Sequence, residues 1–404
     1  MRDGCKCRDL STLERSKTPQ KNLRYGVDPS PFLPHSGYAR EHCSDPKKPL
    51  SHPHLIKEIA LQAGVSLATV DRVLNQRPGV RQHTRRRVVQ AIQELDRQRA
   101  QVGLAGRKFL LDVVMEAPDR FTQVVRHALD REMPRMHPAV FRARYHLGEF
   151  RPVQELVALL NSIARRGSHG VLLKAPDVPE VREAVEKLHD RGIAVITLVT
   201  DLPTSPRLAY VGMNNRAAGE TAAYLLGQWL GAANTEVLIS LSSNRFRGEE
   251  EREIGFRLAM QQRYPNIQMH DISEGQGMHD ATVDLVQQQL RLWPHIEAVY
   301  SVGGANPAIL QAFARMKRTC RVFIGHDLDA DNLRLLREGR LSAVLHHDLQ
   351  HDLRSACLQV MQAHGTGTQG QPPAWSSVQV VTPYNLPQGF EQADGVGHMR
   401  ERLP

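Results

Sequence analysis

Residues 56–96 read IKEIALQAGVSLATVDRVLNQRPGVRQHTRRRVVQAIQELD. Ile56, Ile59, Ala60 and Ala63 recur at intervals of three and four, which lays one apolar stripe along a short helix. Gly64-Val65 breaks the period, and Ser66 supplies an oxygen to cap a second helix that turns Val70, Val73 and Leu74 inward. Asn75-Gln76-Arg77-Pro78-Gly79 is a turn cluster. A third helix is expected from about Gln82 to Arg97, with Val88, Ala91, Ile92 and Leu95 as its buried stripe. Three short helices with a tight glycine turn between the first two describe a helix-turn-helix unit.

The charge distribution sets this block apart. The 404-residue chain carries a formal net charge of +9. Residues 51–108 hold eleven Lys and Arg against four Asp and Glu, whereas residues 109–404 hold 31 against 33. A basic head on a near-neutral body suits a polyanion-binding module joined to a domain with a different task.

From residue 109 the pattern changes. Apolar runs appear at 109–115 (FLLDVVM), 170–175, 193–199, 236–241, 298–303, 321–326 and 342–347. Helical stretches are expected near 121–136, 153–166, 178–191, 216–231, 248–264, 279–291, 307–317 and 329–339. Continuous Val, Ile and Leu runs, each bounded by a helix, are what strands buried on both faces of a parallel sheet require. Right-handed crossovers then give doubly wound sheets. The span is too long for one sheet, so two lobes are expected.

The predicted organisation is therefore as follows. Residues 1–53 form a disordered extension rich in Pro, Ser, Lys and Arg, 54–98 a helix-turn-helix domain, and 99–108 a hinge or linker. Residues 109–390 form a two-lobed α/β domain, with an N-lobe of about 109–210 and 348–370 and a C-lobe of about 211–347 and 371–390. Residues 391–404 are a tail.

Several classes are excluded. No apolar run reaches the roughly 18–20 residues of a membrane span. No apolar leader opens the chain, so a cytoplasmic protein is expected. Five cysteines are too few and scattered for a disulfide framework, and Cys5, Cys7 and Cys43 match no zinc-site spacing. GxGxxG after the first strand, GxxxxGK[ST], HExxH and GxSxG are all missing, so neither an enzyme, a cofactor nor a metal is expected.

The residues Ile59-Ala60, Ala63-Gly64-Val65-Ser66, Ala68-Thr69-Val70, Arg72-Val73-Leu74-Asn75, Val80, Thr84-Arg85 and Val88 resemble the DNA-binding headpiece of the LacI/GalR transcriptional regulators. The body resembles the periplasmic-binding-protein-like domain of those regulators. Supporting motifs are Val211-Gly212-x-Asn214-Asn215-x-Ala217-Ala218-Gly219, Arg252-x-x-Gly255-Phe256 and Phe323-Ile324-Gly325-His326-Asp327. The resemblance implies a homodimer on a palindromic operator in double-stranded DNA, acting as a repressor under control of a small-molecule effector. The rival reading is a small-molecule receptor of the same fold without DNA-specific activity.

In such a head the second helix enters the major groove. Leu67, Ala68, Asp71 and Arg72 then face outward, with Arg72 able to reach guanine O6 and N7. Ser66, Thr69, Asn75 and Thr84 suit phosphate oxygens, and Arg81, Arg85, Arg86 and Arg87 add charge. Asp71 stands where the family has Ser, and is expected to orient Arg72, the alternatives being that it pairs with Arg77 or accepts from cytosine N4. Leu104 stands as the wedge that a family hinge helix inserts in the minor groove, a plain linker being the alternative.

In the body, strand ends should line an interlobe cleft. Glu116 and Asp119 can accept from ligand hydroxyls and Phe121 can stack on a sugar face. Asp201 follows a strand and is a further candidate. The resemblance adds Arg252, Asn306 and Asp327, and leaves His347 as either a ligand or a hinge contact. A sugar, a polyol or a purine would suit such a lining, the sugar or polyol being the leading expectation.

Overall fold

A computed structural model describes residues 54–104, 106–231, 235–243, 245–273, 279–365, 375–387 and 390. The expected N-terminal extension, its three cysteines and the C-terminal tail lie outside them.

Helices α1 (Ile56–Ala63), α2 (Leu67–Leu74) and α3 (Gln82–Leu104) form the head. Ile59, Ala60 and Ala63 of α1, Val70, Val73 and Leu74 of α2, and Val88 and Ala91 of α3 make its core. Gly64 ends α1 in the left-handed conformation that a tight turn requires. The Arg87 guanidinium donates to the Ala63 and Gly64 carbonyls at 2.7 and 3.3 Å, filling acceptors that a helix end leaves open. Arg87 thus ties α3 to the turn after α1 while its charge stays on the exposed surface of the head. The third helix does not stop near Arg97 but runs on to Leu104. The added residues contain no proline and are mostly good helix formers, Gly103 apart, and the first left-handed glycine after them is Gly106.

The body holds two sheets. The first has strand order β2-β1-β3-β4-β5, all parallel, from β1 (Lys108–Glu116), β2 (Val140–Gly148), β3 (Gly170–Lys174), β4 (Ala194–Leu198) and β5 (Ala209–Val211). The second runs β11-β10-β9-β8-β6-β7, from β6 (Glu236–Ser240), β7 (Gln268–Ile272), β8 (Ile296–Ser301), β9 (Val322–His326), β10 (Ala343–His346) and β11 (Gln379–Val381), with only β11 antiparallel. Helices α4 (Asp119–Glu132), α5 (Val153–Arg166) and α6 (Pro179–Asp190) cover the first sheet. Helices α7 (Asn215–Leu230), α8 (Arg247–Arg263), α9 (His279–Leu292), α10 (Asn306–Arg315) and α11 (Ala330–Arg337) cover the second. The chain then returns, and α12 (Leu349–Ala363) buries Leu349, Leu353, Cys357 and Val360 against the first sheet. Three crossovers therefore join the lobes: after β5, after β10 and between α12 and β11. Among the described residues no helix is long and apolar enough to cross a membrane.

Four strands, β2, β5, β7 and β11, were not expected from the sequence. Each is a sheet edge. An edge strand exposes part of its surface, so FRARYHL in β2 alternates instead of forming a continuous apolar run.

Helices α7 and α8 touch backbone to backbone. A Cβ on Gly219 would lie 1.9 Å from the Arg252 carbonyl oxygen, and one on Gly255 would lie 2.2 Å from the Arg216 carbonyl oxygen. The two motifs NNRAAG and REIGF are thus the two halves of one crossing. We expect Gly219→Ala to destabilise the body by roughly 3 kcal/mol, because no flexible side chain can yield there. Urea unfolding checks this; an unchanged midpoint would contradict the close contact.

Candidate functional site

The head presents an outward face. Ser66 caps α2, accepting from the Thr69 amide at 3.3 Å, and its hydroxyl lies 2.8 Å from that of Thr69. Leu67, Ala68 and Arg72 are exposed, Leu67 at 54%. Asp71 does not pair with Arg72. Its carboxylate accepts from Asn75 Nδ2 at 2.7 Å and from Arg77 Nη1 at 2.9 Å. Both partners lie in the turn after α2, so Asp71 braces the turn and its charge is balanced by Arg77. Asn75 is tied to the same carboxylate. Thr84 pairs with His83 at 3.1 Å, and Arg85 is half-buried at the start of α3. Leu104 is the final residue of α3, so it continues the third helix rather than standing in a separate hinge element.

The second site is a cleft of about 560 Å³ at the carboxyl ends of the strands of both sheets. Glu116 ends β1 and Lys174 ends β3. Across from them stand Arg245, Arg252, Asn306 and Asp327. Two ion pairs span the cleft: Arg245 to Glu116 at 2.5 Å, and Arg120 to Asp329 at 3.0 Å. The Arg245 guanidinium also lies 4.7 Å from the Phe150 ring centre, and the Lys174 ammonium 3.6 Å from that of Phe246. Lys174 donates to the Glu116 carbonyl at 2.8 Å. Arg252 is buried and aimed by Asn215, whose Oδ1 accepts from its Nε at 2.8 Å.

Of the residues expected in the cleft, Glu116, Phe121, Arg252, Asn306 and Asp327 line it together. Three others do not. Asp119 turns back onto its own helix, accepting from Gln123 at 3.0 Å. Asp201 accepts from Thr197 at 2.7 Å and the Leu202 amide at 2.8 Å and pairs with Arg207, which folds the loop after β4. His347 is fully buried at the second crossover, with its Nδ1 2.5 Å from Asp352. The sequence reading missed Arg120, Lys174, Arg245 and Asp329. Lys174 had a signal, a lone charge closing the apolar strand GVLLK. Arg245, in the loop after β6, is legible by the same strand-end rule.

Burial separates the roles of these groups. The Asn306 Oδ1 and Asp327 Oδ1 oxygens are buried without a hydrogen-bond partner among the described residues. Such acceptors are costly unless something donates to them. Burial raises the Glu116 carboxyl above its usual range, against the pull of Arg245. Among the described residues no cluster of His, Cys, Asp and Glu could hold a metal ion.

Burial also holds the Lys174 ammonium down to about 8, against the pull of Glu249 and Glu116. In the unfolded chain it titrates near 10.5. Folding therefore opposes the charge at all pH values below about 8, and that cost fades as the pH rises toward 10.5. We expect Lys174→Met to exceed the wild type in stability at pH 7 by on the order of 3 kcal/mol. The gap should narrow between pH 8 and 10. Urea unfolding at several pH values measures it, and a pH-independent gap would refute this account.

Comparison with known proteins places both domains in known families. The model of the bacterial regulatory proteins of the lacI family matches residues 55–98, and the periplasmic binding protein domain matches residues 147–369. An HTH-type transcriptional regulator, reg1 of Streptomyces lividans, is 28% identical over 218 residues, 51% of this chain and 59% of that protein. This chain thus spans less than two thirds of that regulator. In fold, the body is similar to GanP, a glucose-galactose binding protein from Geobacillus stearothermophilus, with a TM-score of 0.61 and 19% identity over 70% of this chain and 99% of that one. It is also similar to AraP, an arabinose binding protein of the same organism, with a TM-score of 0.56 and 19% identity over 69% of this chain and 98% of that one. The chain belongs to the periplasmic binding protein domain family and carries, ahead of that domain, the DNA-binding head of the lacI-family bacterial regulators.

Proposed function

We propose that this chain is a sequence-specific DNA-binding repressor whose operator affinity is set by a sugar or polyol held between the two lobes. The observation that carries this reading is the pairing, on one chain, of an outward α2 face with a cleft that presents unpaired buried acceptors. Arg72 reads a base edge, while Ser66, Thr69, Thr84 and Arg85 position the head on phosphates. In the cleft, Asn306 and Asp327 accept from ligand hydroxyls, Arg252 donates, and Phe121 offers an apolar face. The sugar ligands in the names of the structural relatives point the same way.

The head reads one half-site, so a homodimer on a palindrome follows from two-fold symmetry. Effector control needs only that the ligand favour one lobe arrangement. A coupling of about 1–3 kcal/mol changes operator affinity some 5- to 150-fold.

Selection from random duplexes at about 150 mM salt, where purely electrostatic binding is weak, should enrich a palindrome of roughly 14–20 bp. Arg72→Ala should cost about 1–3 kcal/mol and relax the preference at one position of each half-site. A selected operator indifferent to every sugar and polyol tested would remove the effector from this reading. Failure to enrich any sequence, with sugars still binding, would favour the receptor without DNA-specific activity.

A further inference from the structure

The three crossovers between the lobes meet at one buried carboxylate. Asp352, in the first turn of α12, is 1% exposed. Its Oδ2 lies 2.5 Å from His347 Nδ1, on the second crossover, and accepts from the Ser376 hydroxyl at 3.3 Å, on the third. The Ser376 amide in turn donates to the Gly212 carbonyl at 3.0 Å, on the first. On its other side, His347 Nε2 lies 3.6 Å from Asp327 Oδ1, and both atoms are buried with no hydrogen-bond partner among the described residues. Asp327 lines the cleft, its other oxygen 3.9 Å from Arg252, and holds a left-handed backbone (φ 63°) that few non-glycine residues adopt.

We propose that His347 is a positioning residue that carries the state of Asp327 in the cleft to the crossovers. Asp352 fixes the imidazole from behind, so Nε2 is presented to Asp327 at just beyond hydrogen-bonding distance. A small shift of the Asp327 carboxylate, between Arg252 and His347, makes or breaks that contact. Because Asp352 also holds Ser376, and Ser376 holds Gly212, the change is felt at all three joints where the lobes turn. This rests on the proposed function for its purpose, but the relay itself can be tested without any ligand.

The test is a double-mutant cycle on the full chain, with Asp327→Asn, His347→Ala and their combination. The readout is hydrogen exchange at the Ser376 amide, with the core amides of Leu111 and Val299 as the measure of folding. Asp327→Asn should change Ser376 exchange by about tenfold when His347 is present and by less than about twofold when it is Ala. His347→Gln, which keeps a hydrogen-bonding group on each side, should restore part of the response. Additive effects in the cycle, with the core amides protected, would overturn the proposal. In a second arm, D-galactose, L-arabinose and xylitol are added to the wild type and to His347→Ala. A sugar that binds both equally but slows Ser376 exchange only in the wild type supports the relay. Loss of sugar binding in His347→Ala, with the cycle additive, would make His347 a ligand contact. A non-additive cycle with no sugar bound would keep the relay and discard the ligand class.

Discussion

The approach of α7 to α8 at Gly219 and Gly255 is the constraint on which the effector half of the molecule depends. Two helices can lie backbone to backbone only where neither carries a Cβ at the contact. That contact brings Asn215, at the start of α7, within 2.8 Å of Arg252 on α8, and so aims a buried guanidinium into the cleft. Arg252 is then close enough to share Asp327 with His347. The placement of Arg252 and Asp327 in the cleft, and of the crossovers beneath them, thus follows from two missing methyl groups.

Electrostatics act on top of that geometry. The charges in the cleft are paired across it, Glu116 with Arg245 and Asp329 with Arg120, each pair joining one lobe to the other. Breaking a largely buried pair leaves a charge that is poorly solvated, so lobe position and cleft chemistry are not independent. Lys174 is held differently. It has a carbonyl and an aromatic ring for company rather than a carboxylate at contact distance, and burial depresses its affinity for the proton. The head uses charge differently. Asp71, which looks repulsive toward a polyanion in the sequence, is offset by Arg77 and spends its oxygens on bracing the turn after α2.

The legibility of the fold follows burial. Strands β1, β3, β4, β6, β8, β9 and β10 lie inside their sheets, are covered on both faces, and were visible as apolar runs. The edge strands were not, because a half-exposed strand has no such run. In the head the periods of three and four located the core residues, Ile56 excepted because it opens α1 and stays exposed, since a helix-turn-helix of about forty residues is nearly all local contact. Its third helix was cut short because a basic, small-residue stretch reads as a linker until its continuous helical backbone is seen.

For the cleft, the strand-end rule and the family motifs brought together Glu116, Phe121, Arg252, Asn306 and Asp327, but the same rule overreached to Asp119 and Asp201. Both are carboxylates near strand ends whose oxygens are taken up by neighbours within six residues. By itself the sequence determined the basic head, the order of domains and the alternation of strand and helix, because each is written in contacts a few residues apart. Only the tertiary structure decided that Glu116 meets Arg245, 129 residues away, and that His347, Asp352, Ser376 and Gly212 share one joint. Such partners are chosen by how two sheets and three crossovers pack, and no local spacing encodes that.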